Sequence, residues 1–186
     1  MQKHFSLLVL FLWGCFFINL AVADEVPVSV KNFTLESQQI GADVSYTLQS
    51  DQKVFFTAAL DALKSGKELV FTHYIKLYKL GGWRPKKVAD TKVIYQVSYN
   101  LMENVFTFKK GDDTYRISGE KGLAKELFSV SQANVALVKD YDPGTEFLAK
   151  IAFSFEDAGK KNVWVSRVTP RWFTPKMTAE VLYIGR

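Results

Sequence analysis

Few residues in this chain have the type and spacing to do chemistry. His73 and His4 are the only histidines, and most acid–base, Ser-His and zinc chemistry leans on imidazole. His73 falls in the alternating series Leu69, Phe71, His73, Ile75, Leu77. That placement predicts a buried, hydrogen-bonded core residue, because a general base needs an orienting carboxylate or a nucleophile beside it and the neighbouring sequence offers neither. Asp140, Asp142 and Glu146 bring three carboxylates to a turn at Pro143-Gly144, the oxygen-rich composition that calcium prefers. Their spacing is not that of the helix–loop–helix calcium motif and Pro143 distorts a simple cage, so no metal site is expected.

Two further segments pair tryptophan with cations. Gly81-Gly82-Trp83-Arg84-Pro85-Lys86-Lys87 reads as a hairpin turn whose aromatic ring is flanked by Arg84, Lys86 and Lys87. Exposed, such a group suits an acidic partner, a lipid headgroup surface or a glycan; folded back, Trp83 would instead cap one end of the core. Arg171-Trp172-Phe173 repeats the combination between Pro170 and Pro175, where the structural alternative is a rigid crossover between strands. The G-x-S-x-G, H-E-x-x-H, P-loop and Rossmann glycine patterns are absent. No catalytic residue and no cofactor is therefore expected, although a paired-carboxylate hydrolase needs only two acids brought together in space.

The elements that must position these residues are mostly strands. Ile40, Ala42, Val44, Tyr46 and Leu48 alternate with polar residues; Val93, Tyr95, Val97 and Tyr99 do the same, as do Phe147 to Phe155 and Met177 to Tyr183. Val26 to Leu35 also alternates, with a phase shift between Val30 and Phe33 that predicts a bulge. Residues 51–64 carry Phe55, Ala58, Ala59, Ala62 and Leu63 at helical spacing, and a shorter helix is expected over residues 120–129. Gly81-Gly82, Lys110-Gly111-Asp112-Asp113 and Asp142-Pro143-Gly144 mark turns. Short turns between alternating strands indicate antiparallel sheets, so the expected fold is mainly β: an antiparallel β-sandwich or half-open barrel with two short helices.

The N-terminus has the three parts of a secretory signal: Lys3 and His4, an apolar run from Phe5, and Ala21-Val22-Ala23 before Asp24. Residues 1–23 are expected to be a signal peptide cut between Ala23 and Asp24, leaving residues 24–186 as one exported β-rich domain in the periplasm or outside the cell. The alternative is an inner-membrane anchor formed by residues 5–23, which approach the ~20 needed to span a bilayer. A weaker lipobox-like reading centres on Cys15, where Trp13 occupies a place that wants a small residue. Cys15 is the only cysteine, so cleavage leaves a chain with no disulfide and no thiolate chemistry. The formal net charge of +5 falls far short of a dedicated nucleic-acid binder, and no nucleic-acid partner is expected.

Asn32-Phe33-x-Leu35-Glu36, followed by Gly41-Ala42-Asp43-Val44-x-Tyr46-x-Leu48, resembles the opening of a family of exported proteobacterial proteins known only as a domain of unknown function. The similarity continues through Ala59-Leu60, Gly66, Leu69-x-Phe71, Ile75-x-Leu77, Trp83 and Val88-Ala89, then more weakly from Leu123 to Ala149-x-Ile151-x-Phe153. The tail departs from the family's leucine- and proline-rich stretch. The resemblance implies export and an envelope location and brings no catalytic residues with it. The resulting expectation is a non-enzymatic envelope module that contacts a protein or a membrane surface through the Trp83 and Trp172 turns. The alternatives are a carrier or sensor holding a lipid or other apolar ligand in a β cup lined by Tyr95, Tyr99 and Phe147 to Phe155, and a hydrolase of an envelope polymer.

Overall fold

The computed structural model describes residues 25–37, 41–49, 53–136, 144–159 and 176–184. Ten strands and two helices alternate along these residues: β1 (Glu25–Pro27), β2 (Ser29–Ser37), β3 (Ala42–Gln49), α1 (Lys53–Lys64), β4 (Leu69–Lys79), β5 (Lys86–Asn100), β6 (Val105–Lys110), β7 (Asp113–Ser118), α2 (Glu120–Phe128), β8 (Ser129–Val135), β9 (Glu146–Asp157) and β10 (Lys176–Ile184). The strands form two sheets, one of seven in the order β1-β10-β9-β4-β5-β6-β7 and one of three in the order β2-β3-β8. All pairings are antiparallel except the short parallel edge between β1 and β10. The two sheets do not close into a barrel, and the architecture is that of a sandwich.

Period-two alternation explains which face each strand buries. Leu69, Phe71, His73, Ile75 and Leu77 of β4 are all essentially inaccessible, and Phe147, Ala149, Ile151 and Phe153 of β9 lie beside them on the same side. Tyr95 and Val97 of β5 and Phe106 and Phe108 of β6 extend this inner face. Ala42, Val44, Tyr46 and Leu48 of β3, with Val130, Ala133 and Val135 of β8, form the facing layer. The small sheet covers only part of the large one, and the helices cover the remainder. Phe55 of α1 lies 5.2 Å from Phe153 and 5.0 Å from Phe155, and Phe128 of α2 lies 5.5 Å from Phe153. Burying each such side chain contributes roughly 1.5–3 kcal/mol, which matters in a chain whose one cysteine, Cys15, precludes an internal disulfide.

The expected bulge is present: the β2–β3 register shifts between Lys31 and Thr34, and Asn32 takes φ 53°. The chain had to change sheet just before this point, because β1 follows β10 whereas β2 belongs to the small sheet. Val28 N–H, donating to Thr178 O at 3.0 Å, ties the residue between β1 and β2 to the large sheet. Pro27, which lacks an N–H, sits in the outermost strand where that loss costs least.

Gly41, immediately before β3, has φ +93°, and a Cβ there would stand 2.6 Å from Val135 O on β8. The backbone of the small sheet can make this approach only without a side chain. Gly41→Ala is therefore expected to lower the unfolding free energy by about 1–3 kcal/mol, measured as a reduced urea midpoint with an unchanged m-value.

Candidate functional site

The turn between β4 and β5 presents the most conspicuous surface group. Leu80 N–H donates to Glu146 O at 2.9 Å and ties the base of the turn to β9. Beyond it, Gly81 adopts φ +103° and every residue from Gly81 to Lys87 is exposed. Trp83 is 87% exposed, so it does not fold back over the core as the alternative reading of the sequence had it. The Arg84 guanidinium carbon stands 4.0 Å from the Trp83 ring centroid, a cation–π stack worth about 0.5–1 kcal/mol at an exposed site. Lys87 pairs with Asp90 at 3.3 Å with both groups half exposed, a contact worth little in water. Lys86 has no ion-pair partner among the described residues.

An apolar row adjoins this turn on the outer face of the large sheet. Leu182 of β10, Leu148 of β9 and Tyr78 of β4 are register partners across three strands. Leu182 is 60% exposed, and Lys150 from the next row stands 5.8 Å from the Tyr78 ring while bonding Glu180. The row was not singled out in the sequence, because alternation marks these positions as solvent-facing without showing that three of them align.

Arg171, Trp172 and Phe173 lie outside the described residues, as do Ala21, Ala23, Asp24, Asp140 and Asp142. The strand that follows the Trp172 segment is nevertheless placed. Lys176, at the start of β10, pairs with Ser154, which pairs with Thr72, whereas the Trp83 turn lies beyond Lys79, the partner of Phe147. β10 thus begins seven register positions away from Lys79, about 23 Å at 3.3 Å per residue.

His73 is buried as expected and has no accessible surface. Its Nε2 lies 2.8 Å from Leu127 O and its Nδ1 lies 2.8 Å from the Tyr46 hydroxyl. A carbonyl only accepts, so Nε2 carries the hydrogen and Nδ1 accepts from Tyr46 O–H. The ring is neutral, and packs 4.2 Å from Phe153 and 5.6 Å from Tyr95. Burial lowers its pKa from 6.5 to about 4, opposed in part by the bond to Leu127. Burial also raises the Tyr46 and Tyr95 hydroxyls well above their usual range. No nitrogen of His73 is left for a substrate. The faces nominated for an apolar cup are occupied likewise: Tyr95, Phe147 and Phe153 are buried, with Phe153 stacked on Phe71 at 5.9 Å. Among the described residues no group of three His, Cys, Asp or Glu is arranged to hold a metal ion.

Two features escaped the sequence reading. The β5–β6 turn exposes Leu101 (73%) and Met102 (97%), held by Asn100 Oδ1, which accepts from the backbone N–H of Met102 and Glu103. A concave groove runs beside α2, at the end of β3. The apolar pair between Asn100 and Asn104 and the Lys121, Lys125 spacing were the available signals. No family model, curated protein or solved structure matches the chain.

His73 makes stability depend on pH with a defined sign. Between pH 6.5 and about 4 the unfolded chain binds the proton and the folded one does not. Stability is therefore complete above pH 6.5 and falls by about 1.4 kcal/mol per pH unit as the solution is acidified through that window. Urea unfolding is expected to give about 2 kcal/mol less stability at pH 4.5 than at pH 7 from this residue. The Tyr46→Phe, His73→Phe double variant should lose that part of the dependence.

Proposed function

We propose that this chain is a non-catalytic binding module of the bacterial envelope that docks on an acidic protein or membrane-proximal partner through the Trp83 turn. The observation that carries the reading is the 87% exposure of Trp83 under the stacked Arg84 guanidinium. A ring of this size exposed to water, with a cation stacked on it, supplies an amphipathic anchor whose burial on binding is favourable. Lys86 adds a positive charge with no ion-pair partner among the described residues, and the Tyr78–Leu148–Leu182 row offers apolar area beside the turn. The envelope location rests on the signal-like N-terminus and on the resemblance to the exported proteobacterial family. The acidic character of the partner follows from the charge of the turn.

The test pairs Trp83→Ala with Arg84→Ala. Neither side chain supports the core, so the thermal midpoint should stay unchanged. Partner recovery from the envelope fraction, or flotation with vesicles containing anionic lipid, is expected to weaken by about 2 kcal/mol or more. Undiminished recovery and flotation together would refute the reading, and retention of one alone would identify the partner as protein or membrane.

A further inference from the structure

The groove beside α2 is built from two kinds of surface. Helix α2 contributes Lys121, Lys125 and Phe128, and the strand ends contribute Thr47, Gln49 and Ser129. Its volume of about 660 Å³ falls within the ~300–1,000 Å³ of small-molecule sites. The groove and the Trp83 turn lie toward opposite ends of the sandwich. Tyr183, in the row next to that turn, donates its hydroxyl hydrogen to Leu35 O on β2, opposite Val44, whereas the groove opens past Leu48 at the other end of β3.

Charge is sorted around α2 in a way that leaves the groove positive. Glu120 bonds Lys64 on α1, and Glu126 accepts from the Tyr115 hydroxyl on β7. Leu123 and Leu127 face the core. Both acids of the helix are thus engaged away from the groove, while Lys121 and Lys125 line it with no ion-pair partner among the described residues. Two lysines at i and i+4 repel each other in the empty groove, and an anion between them removes that repulsion. The side chains of Thr47, Gln49 and Ser129 likewise have no hydrogen-bond partner among the described residues, and supply uncharged donors at the rim. The Ser29 hydroxyl is already donating to Gln49 O. Phe128 and Leu48 give the floor an apolar patch.

We infer that this groove binds the phosphate-ester group of a small anionic ligand, with Lys121 and Lys125 as its counter-charges and the hydroxyl and amide rim as donors to its oxygens. Two ammonium groups match the charge of a phosphate monoester, and lysine binds phosphate as a compact point charge. A phospholipid headgroup and a soluble phosphate ester present this same chemistry.

The experiment titrates 15N-labelled protein with glycerol 3-phosphate and, separately, with dihexanoyl phosphatidic acid below its micellar concentration. Saturable amide shifts centred on Lys121, Lys125 and Ser129 are expected. The Lys121→Gln, Lys125→Gln variant keeps good helix formers at both positions and should retain its thermal midpoint. Its affinity should fall by about tenfold or more. Equal binding of the two probes assigns the site to a soluble ester, and clear preference for the lipid assigns it to a headgroup. Absence of saturable binding by both probes, shifts centred elsewhere, or undiminished affinity in the lysine variant overturns the inference. The Trp83→Ala, Arg84→Ala variant should bind both probes normally, so failure of the docking reading leaves this result unaffected.

Discussion

The sandwich is held in one arrangement by a buried hydrogen-bond chain, Tyr46 O–H to His73 Nδ1 and His73 Nε2–H to Leu127 O. Each member belongs to a different part of the fold: β3 of the small sheet, β4 at the centre of the large sheet, and the end of α2. Apolar contacts are nearly indifferent to small slides of one layer over another, whereas a buried polar atom without its partner costs roughly 1–3 kcal/mol. Any shift of the small sheet, or of α2, would orphan at least one atom of this chain. The Leu127 carbonyl is also one of the last in its helix, which no further turn of α2 can satisfy. One imidazole therefore completes a helix end and aligns two sheets, and among the described residues no buried side-chain nitrogen or oxygen is left unpaired.

A centre filled in this way moves binding to the periphery. Phe71, Phe153 and Phe55 occupy the space that a ligand-holding cup would need, and helices α1 and α2 close the side that the three-stranded sheet leaves open. At the end where the Trp83 turn lies, β5 runs past β6, whose pairing stops at Tyr95, while β4 ends level with β9. The groove forms where β3 stops and α2 passes alongside. Both places are margins where layers end, and both keep side chains whose partners are not supplied by the fold.

Much of the architecture was legible in the sequence because it follows from local rules. Alternation gave the inner faces of β3, β4, β5 and β9, the phase shift at Val30 to Phe33 gave the bulge at Asn32, and helical spacing gave both helices to within two residues at either end. The seven-plus-three division of strands was not legible, because β1 and β2 are nearly continuous in sequence yet belong to different sheets, and no local signal records which strand β10 will meet. The Trp83 turn was readable as a turn, but its orientation depended on whether the core end had room for a ring. Lys121 and Lys125 were invisible as a pair with a purpose, since their freedom depends on Glu120 and Glu126 being engaged by Lys64 and Tyr115 from elements distant in sequence.

The same pairing logic explains how a mildly charged chain can hold strongly positive places. The formal net charge is only +5, spread over 24 basic and 19 acidic residues. Several of those acids are matched locally: Glu68 with Gln96, Asp90 with Lys87, Glu103 with Arg116, Asp43 with Gln132, and Glu180 with Lys150. The three ion pairs, of Asp90, Glu103 and Glu180, cancel a negative field within a few ångströms, the two glutamine amides only solvate their carboxylates, and solvent screens what remains over a Debye length of about 8 Å at physiological salt. Among the described residues the cations without an ion-pair partner include Lys86, beside the Arg84–Trp83 stack, and Lys121 and Lys125. Those two places lie toward opposite ends of the sandwich, so the field of one is largely screened at the other. A partner docked at the turn and an anion seated in the groove would then be recognised separately.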